Sequence, residues 1–115
     1  RDIVNTIPND LHPVSFVKLA KNLAKENYLT CNILNEKKLK NEKMGAMLAV
    51  GRASIHESQL IHLIYRPKNP RKVISLIGKG LTYDSGGLSL KSGTSMVTMK
   101  MDKAGACAVL GMIKA

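Results

Sequence analysis

The chain has 115 residues, 44% of them apolar and 3% aromatic, and its 18 Lys and Arg outweigh 8 Asp and Glu to give a formal charge of +10. This is about one small domain's worth of sequence with an aliphatic core, too apolar for a disordered segment and without any run near the ~20 apolar residues of a membrane span. Two cysteines, Cys31 and Cys107, are too few for the disulfide framework of a small secreted protein and predict free thiols in a reducing compartment, the cytoplasm.

The opening Arg1-Asp2-Ile3-Val4-Asn5 has no apolar stretch behind a basic one and does not read as a signal peptide. The first helix signal is His12-Pro13, with Pro13 well placed in a first turn. Phe16, Val17, Leu19, Ala20, Leu23 and Ala24 then share one face, with Lys18, Lys21, Asn22 and Lys25 opposite, so an amphipathic helix is predicted over residues 13–27. Residues 29–34 alternate as a short strand, and the polar, Lys-rich stretch 36–43 predicts a short surface helix. Residues 45–54 read as a small-residue connection that carries the apolar run Ala46-Met47-Leu48-Ala49-Val50. Two clearer strands are predicted over 60–65 and 72–77, with Pro67, Asn69 and Pro70 between them. Leu88-Ser89-Leu90 looks like a further strand, and residues 104–115 read as a tightly packed helix of small and aliphatic side chains. Near-continuous apolar strands among helices predict an α/β fold, a mixed sheet flanked by helices.

The charge admits three readings. A solvated Lys-rich face is the ordinary one, and the run from Lys37 to Lys43 fits it. Nucleic-acid binding is the second. Against it, no aromatic residues are interleaved with the basic ones as stacking platforms, and no zinc-finger or RNA-binding signature is visible. Third, the acidic balance would lie elsewhere in a larger protein: the absence of a start Met and an end inside an apolar stretch are what a fragment would show.

After residue 77 the chain turns glycine-rich. Gly78-Lys79-Gly80-Leu81-Thr82-Tyr83-Asp84-Ser85-Gly86-Gly87 leads to Lys91 and then to Met99-Lys100-Met101-Asp102. Ligands of open α/β sheets bind just beyond strand C-termini, where Lys79 and Asp84 would stand. Asp84 and Asp102 are hard oxygen donors for divalent cations. A lysine opposes a cation unless its pKa is pulled down and it coordinates as a neutral amine. Residue types alone thus leave a metal site open beside the plainer alternative of surface Lys–Asp pairs on a glycine-rich loop. A phosphate loop is disfavoured, because Gly78-x-Gly80 is half a dinucleotide fingerprint and no G-x-x-x-x-G-K-[ST] run is present.

These residues closely resemble the core of the leucyl aminopeptidase (cytosol aminopeptidase) family, V-G-K-G-[IL]-T-[FY]-D-[ST]-G-G with a second Lys and a second Asp at matching spacings. Upstream, residues 1–9 look like the family's R-D-L-x-N-x-P-x-N stretch, and Met44-Gly45-Ala46-Met47-Leu48-Ala49-Val50-Gly51 looks like its M-G-x-[LF]-L-A-V-G segment, so the resemblance spans the chain. It implies metal ligation by Lys79, by Asp84 as the bridging carboxylate, and by Asp102. It also implies that Lys91 is the catalytic residue that polarises the scissile carbonyl, and that Met99 lines the pocket for the substrate's N-terminal side chain. Two divalent ions (zinc, manganese or magnesium), peptide substrates and a homo-hexamer of the full-length protein follow from the same resemblance, as does a mixed sheet between helices.

Three departures accompany the match. Ile7 stands where the opening stretch usually has Pro, and Lys103-Ala104-Gly105 replaces the usual M-G-G after the second Asp. The family's N-x-D-A-E-G-R segment, with two further acidic ligands and an Arg, is absent from these residues, as is the family's N-terminal domain. Residues 1–115 are therefore expected to be the N-terminal portion of a metallo-aminopeptidase catalytic domain, holding three of five metal-ligand side chains and inactive alone. A basic, non-catalytic nucleic-acid-binding or interaction module is the alternative, and a truncated gene product without activity the third reading. His12, His56 and His62 share no ligand spacing, Cys107 reads as a packed thiol, and Met96, Met101 and Met112 read as core filling.

Overall fold

A stripe of apolar residues at three- and four-residue spacing can bury only one side of a helix, and residues 13–26 do so. A computed structural model describes residues 1–115. In chain order its elements are α1 (Asp2–Asn5), α2 (Pro13–Glu26), β1 (Thr30–Leu34), α3 (Glu36–Asn41), α4 (Gly45–Gly51), β2 (Leu60–Ile64), α5 (Gly93–Met96), a 3-10 turn (Met99–Lys103) and α6 (Ala104–Lys114). The chain divides into two compact units, His12–Pro70 and a second made of Arg1–Leu11 with Arg71–Ala115.

In the first unit, α2 lies against both strands, and α3 packs on β1 and α4. Phe16, Val17, Ala20 and Ala24 are the buried stripe of α2, and Leu39 of α3 is fully buried. Burying a side chain of the size of Leu or Phe stabilises by ~1.5–3 kcal/mol, so Phe16 and Leu39 anchor this unit. Strands β1 and β2 pair antiparallel, Thr30 opposite Ile64 through Leu34 opposite Leu60, which sets the exposed His62 across from Asn32. Pro13 fills the first turn of α2, where its missing N–H costs nothing. The helix ends in a Schellman motif: the Leu29 N–H donates to the Ala24 carbonyl (2.8 Å) and the Tyr28 N–H to that of Lys25. Tyr28 occupies the left-handed position (φ 54°) that favours glycine, with its side chain almost wholly exposed. Tyr28→Gly therefore relieves ~1 kcal/mol of backbone strain and raises the unfolding midpoint measured by circular dichroism.

The second unit is built by α1, α6 and the 3-10 turn packing on one another, with Leu11, Leu110 and, unusually, Lys103 buried. A strand predicted over 72–77 does not form, nor does one over 88–90: the sheet consists of β1 and β2, and residues 71–91 contain no helix or strand. A strand exists through hydrogen bonds to a neighbour, and β-branched residues favour it only on a half-covered surface. Val73 and Ile77 are 93% and 96% exposed, with neither ladder nor cover. The connection predicted over 45–54 is instead helical as α4, because Ala46, Met47, Leu48 and Ala49 are strong helix formers between two glycines that resemble linker signals.

Both cysteines are free and half-buried, Cys31 on β1 and Cys107 on α6. Burial pushes both thiols above their ordinary range. A higher pKa leaves less thiolate, the reactive form, at any pH below it. Alkylation by iodoacetamide at pH 8 is expected to be several-fold slower in the folded protein than in urea; equal rates would refute the shift.

Candidate functional site

The glycine-rich loop is held by backbone packing. Gly78 lies so close to the start of α6 that a Cβ there would overlap the Gly105 carbonyl and come 2.7 Å from the Ala106 Cα. In return, a Cβ on Gly105 would stand 2.9 Å from the Lys79 nitrogen. The Ala106 N–H donates to the Lys79 carbonyl at 2.8 Å, closing the contact. Two glycines thus let the backbone around residue 79 reach the helix that follows Asp102. The side chains meet as well, with Lys79 Nζ 2.7 Å from Asp102 Oδ2.

A second contact forms within the loop. The Gly86 N–H donates to Asp84 Oδ1 at 2.8 Å, and the Lys91 N–H to the Ser85 carbonyl at 2.9 Å. Gly86 has φ +97°, and a Cβ there would press on the Ser89 carbonyl and come 2.9 Å from the Lys91 nitrogen. The turn brings Lys91 Nζ to 3.3 Å from Asp84 Oδ2. At its far end the Tyr83 hydroxyl donates to the Met96 carbonyl at 3.2 Å, tying the loop to α5, which Ser92 caps by accepting from the Ser95 N–H.

Lys79, Asp84, Lys91 and Asp102, singled out from the sequence, therefore stand in two ion pairs. The hydrogen bond that Lys79 donates to Asp102, helped by the charges of Asp102 and Asp84, raises the Lys79 ammonium above its ordinary range. Asp84 is held below the usual carboxylate range, first by the Gly86 N–H and then by Lys91. The side chains of Asp84 and Lys79 remain 26% and 62% exposed, whereas the Asp102 Oδ2 that faces Lys79 is itself buried. The donor set suits a hard divalent cation: two carboxylates and one amine that can ligate once it loses its proton. No group of three His, Cys, Asp or Glu side chains anywhere in the chain could hold a metal, so a cation here would draw on the two aspartates and Lys79.

Met99 opens the 3-10 turn and is half-buried. Side chains three apart eclipse one another on such a turn, which puts Met99 on the side of Asp102. The stack of His12 on His56, with centroids 3.7 Å apart and planes 7° from parallel, lies in the other compact unit and was not legible from spacing. Lys103, noted in the sequence only as a departure from the family pattern, is fully buried; burial pushes its pKa down, and its Nζ donates to two backbone carbonyls. Its place in the position usually held by Met was the available signal.

The chain belongs to the cytosol aminopeptidase family, whose catalytic-domain profile matches residues 1–115. It is 59% identical over its whole length to a probable cytosol aminopeptidase of Helicobacter hepaticus, covering 24% of that protein. Among solved structures it is similar to leucyl aminopeptidase of Trypanosoma cruzi (36% identity, TM-score 0.92, 98% of this chain and 22% of that one). It is equally similar to cytosol aminopeptidase of Coxiella burnetii (38% identity, TM-score 0.92, 99% and 24%). The fold expectation thus holds at the level of the family, and the chain spans about a quarter of the length of the relatives it matches.

Proposed function

We propose that these residues form part of the active site of a metal-dependent leucyl aminopeptidase that hydrolyses N-terminal residues from peptides. The observation that carries this reading is that Lys79 of the glycine-rich loop pairs with Asp102 of the 3-10 turn, while Lys91 pairs with Asp84 within the loop. In this reading Lys79, Asp84 and Asp102 would hold two divalent ions (zinc, manganese or magnesium). Bound ions of this kind supply a nucleophile from water at neutral pH and Lewis-acid polarisation. Lys79 gives up its proton to ligate. The Lys91 ammonium, held by Asp84 and by the turn at Gly86, stands ready to stabilise negative charge as it develops on the substrate's carbonyl oxygen. Met99 offers a soft, adaptable wall to an apolar side chain.

The family's further acidic ligands lie outside residues 1–115, so we read these residues as the N-terminal portion of the catalytic domain. We infer that the whole protein works as a homo-hexamer in the cytoplasm; no helix here is long and apolar enough to cross a membrane. The nucleic-acid alternative rests on the +10 charge alone. Lys37, Lys38, Lys40 and Lys43 are exposed on and just after α3, as a solvated face would be.

Leucine-amide hydrolysis tests the reading. The whole gene product is expected to be active, to lose activity on chelation and to regain it with Mn²⁺. Residues 1–115 alone are expected to be inactive. Absence of hydrolysis by the whole product with every metal tried would overturn the aminopeptidase reading, and fast metal-dependent hydrolysis by residues 1–115 would overturn their incompleteness.

A further inference from the structure

Lys103 follows Asp102 directly, yet it is the largest fully buried side chain of the protein. An ammonium is seldom buried unless every donor has work to do. Here Nζ donates to the carbonyl of Thr6 at 2.8 Å and also to the carbonyl of Lys100. Thr6 caps the C-terminal end of α1, where helix carbonyls lack partners in the helix. Lys100 lies in the 3-10 turn, two residues before Asp102. One side chain therefore joins the turn that carries it to a backbone carbonyl 97 residues earlier, with a charge-assisted bond at each end. The turn so anchored carries Asp102 at its fourth position and Met99 at its first.

We infer that Lys103 is a positioning residue: by crosslinking the end of α1 to the 3-10 turn from within, it sets where the Asp102 carboxylate stands. Met, the residue usual here in the family, fills a similar volume, but in this chain it would leave the Thr6 and Lys100 carbonyls, which Lys103 Nζ now satisfies, without this donor. The turn is then free to shift, and Asp102 with it. Ligand geometry is sensitive to such supports, whose loss typically weakens metal binding by ~10–100-fold. The inference rests on Asp102 being a metal ligand.

The test uses the whole gene product and Mn²⁺ alone as probe, titrated by calorimetry into metal-free protein, with kcat and KM for leucine amide measured in parallel. Lys103→Met is expected to weaken the tighter-affected Mn²⁺ site about tenfold or more and to lower kcat with little change in KM. Lys103→Gln, which keeps N–H donors without the charge, is expected to recover part of both losses. Asp102→Asn separates the two readings. If it leaves Mn²⁺ affinity unchanged, Asp102 is not a ligand and the underlying reading fails. If it weakens Mn²⁺ binding while Lys103→Met leaves affinity and kcat within twofold, the positioning role alone fails. Should circular dichroism show neither Lys103 variant to be folded, Lys103 is a requirement of the fold and the positioning role is likewise overturned.

Discussion

Replacing Asp84 with Asn in the whole gene product is expected to lower kcat/KM for leucine amide by more than ~100-fold, a loss typical of an outer-shell partner and so a floor for a ligand. The substitution is nearly isosteric and isolates charge. The Asn carbonyl oxygen can still accept the Gly86 N–H, which now reaches Asp84 Oδ1 at 2.8 Å, so the turn keeps its closure. What disappears is the anion facing Lys91 and the hard oxygen offered to a cation. The Gly86 N–H, and after it Lys91, favour the charged form of Asp84 and hold it below the usual carboxylate range. Asn has no proton to lose in this range, so raising pH does not rescue the variant. Metal content, read by elemental analysis after dialysis, is expected to fall with the activity while the circular dichroism spectrum is unchanged. Full activity in a variant that holds its metal would remove Asp84 from the site.

Much of the local structure is legible because local physics decides it. The ends of α2 are marked by Pro13 and by the polar Asn27, and its stripe of Phe16, Val17, Ala20 and Ala24 is the buried one. Both strands of the sheet, β1 and β2, fall within a residue of their sequence bounds, although their pairing across two intervening helices is not a local property. Residues 72–77 show the limit. Their pattern reports apolarity and branching, but a ladder also needs a neighbour, and Ile74 is left 79% exposed without one. The site behaves likewise. The chemistry of Lys79, Asp84, Lys91 and Asp102 is evident from residue types and from the family motif. That Lys79 reaches the distant Asp102, leaving the nearer Asp84 to Lys91, depends on the Gly78–Gly105 approach, which no spacing rule encodes. Lys103 is opaque for the opposite reason: a lysine reads as surface, and only the carbonyls of Thr6 and Lys100 explain its burial.

The glycines of α6 provide the sharpest test of how the site is held. Gly105 and Gly111 occupy the same helix, and on propensity alone either change to Ala should stabilise it by ~1 kcal/mol. Gly111 has open space where a Cβ would go, so Gly111→Ala is expected to follow propensity and raise the unfolding midpoint. Gly105 faces the Lys79 nitrogen at 2.9 Å from an added Cβ, and its partner Gly78 would strike the Gly105 carbonyl and the Ala106 Cα. The obstacle in each case is backbone, which has no rotamer to give. Overpacking of this kind costs ~1–3 kcal/mol, enough to outweigh the propensity gain, so Gly105→Ala and Gly78→Ala are both expected to destabilise. Gly78→Ala has the larger effect because its closest contacts are shorter. Relief of the overlap can come only by moving residue 79 away from the start of α6, which lengthens the Ala106 to Lys79 hydrogen bond and parts Lys79 from Asp102. Gly78→Ala should therefore weaken Mn²⁺ binding even under conditions where the protein remains folded, while Gly111→Ala should leave it unchanged. Equal midpoints for the three variants would mean that the close approach of these backbones does not constrain the site.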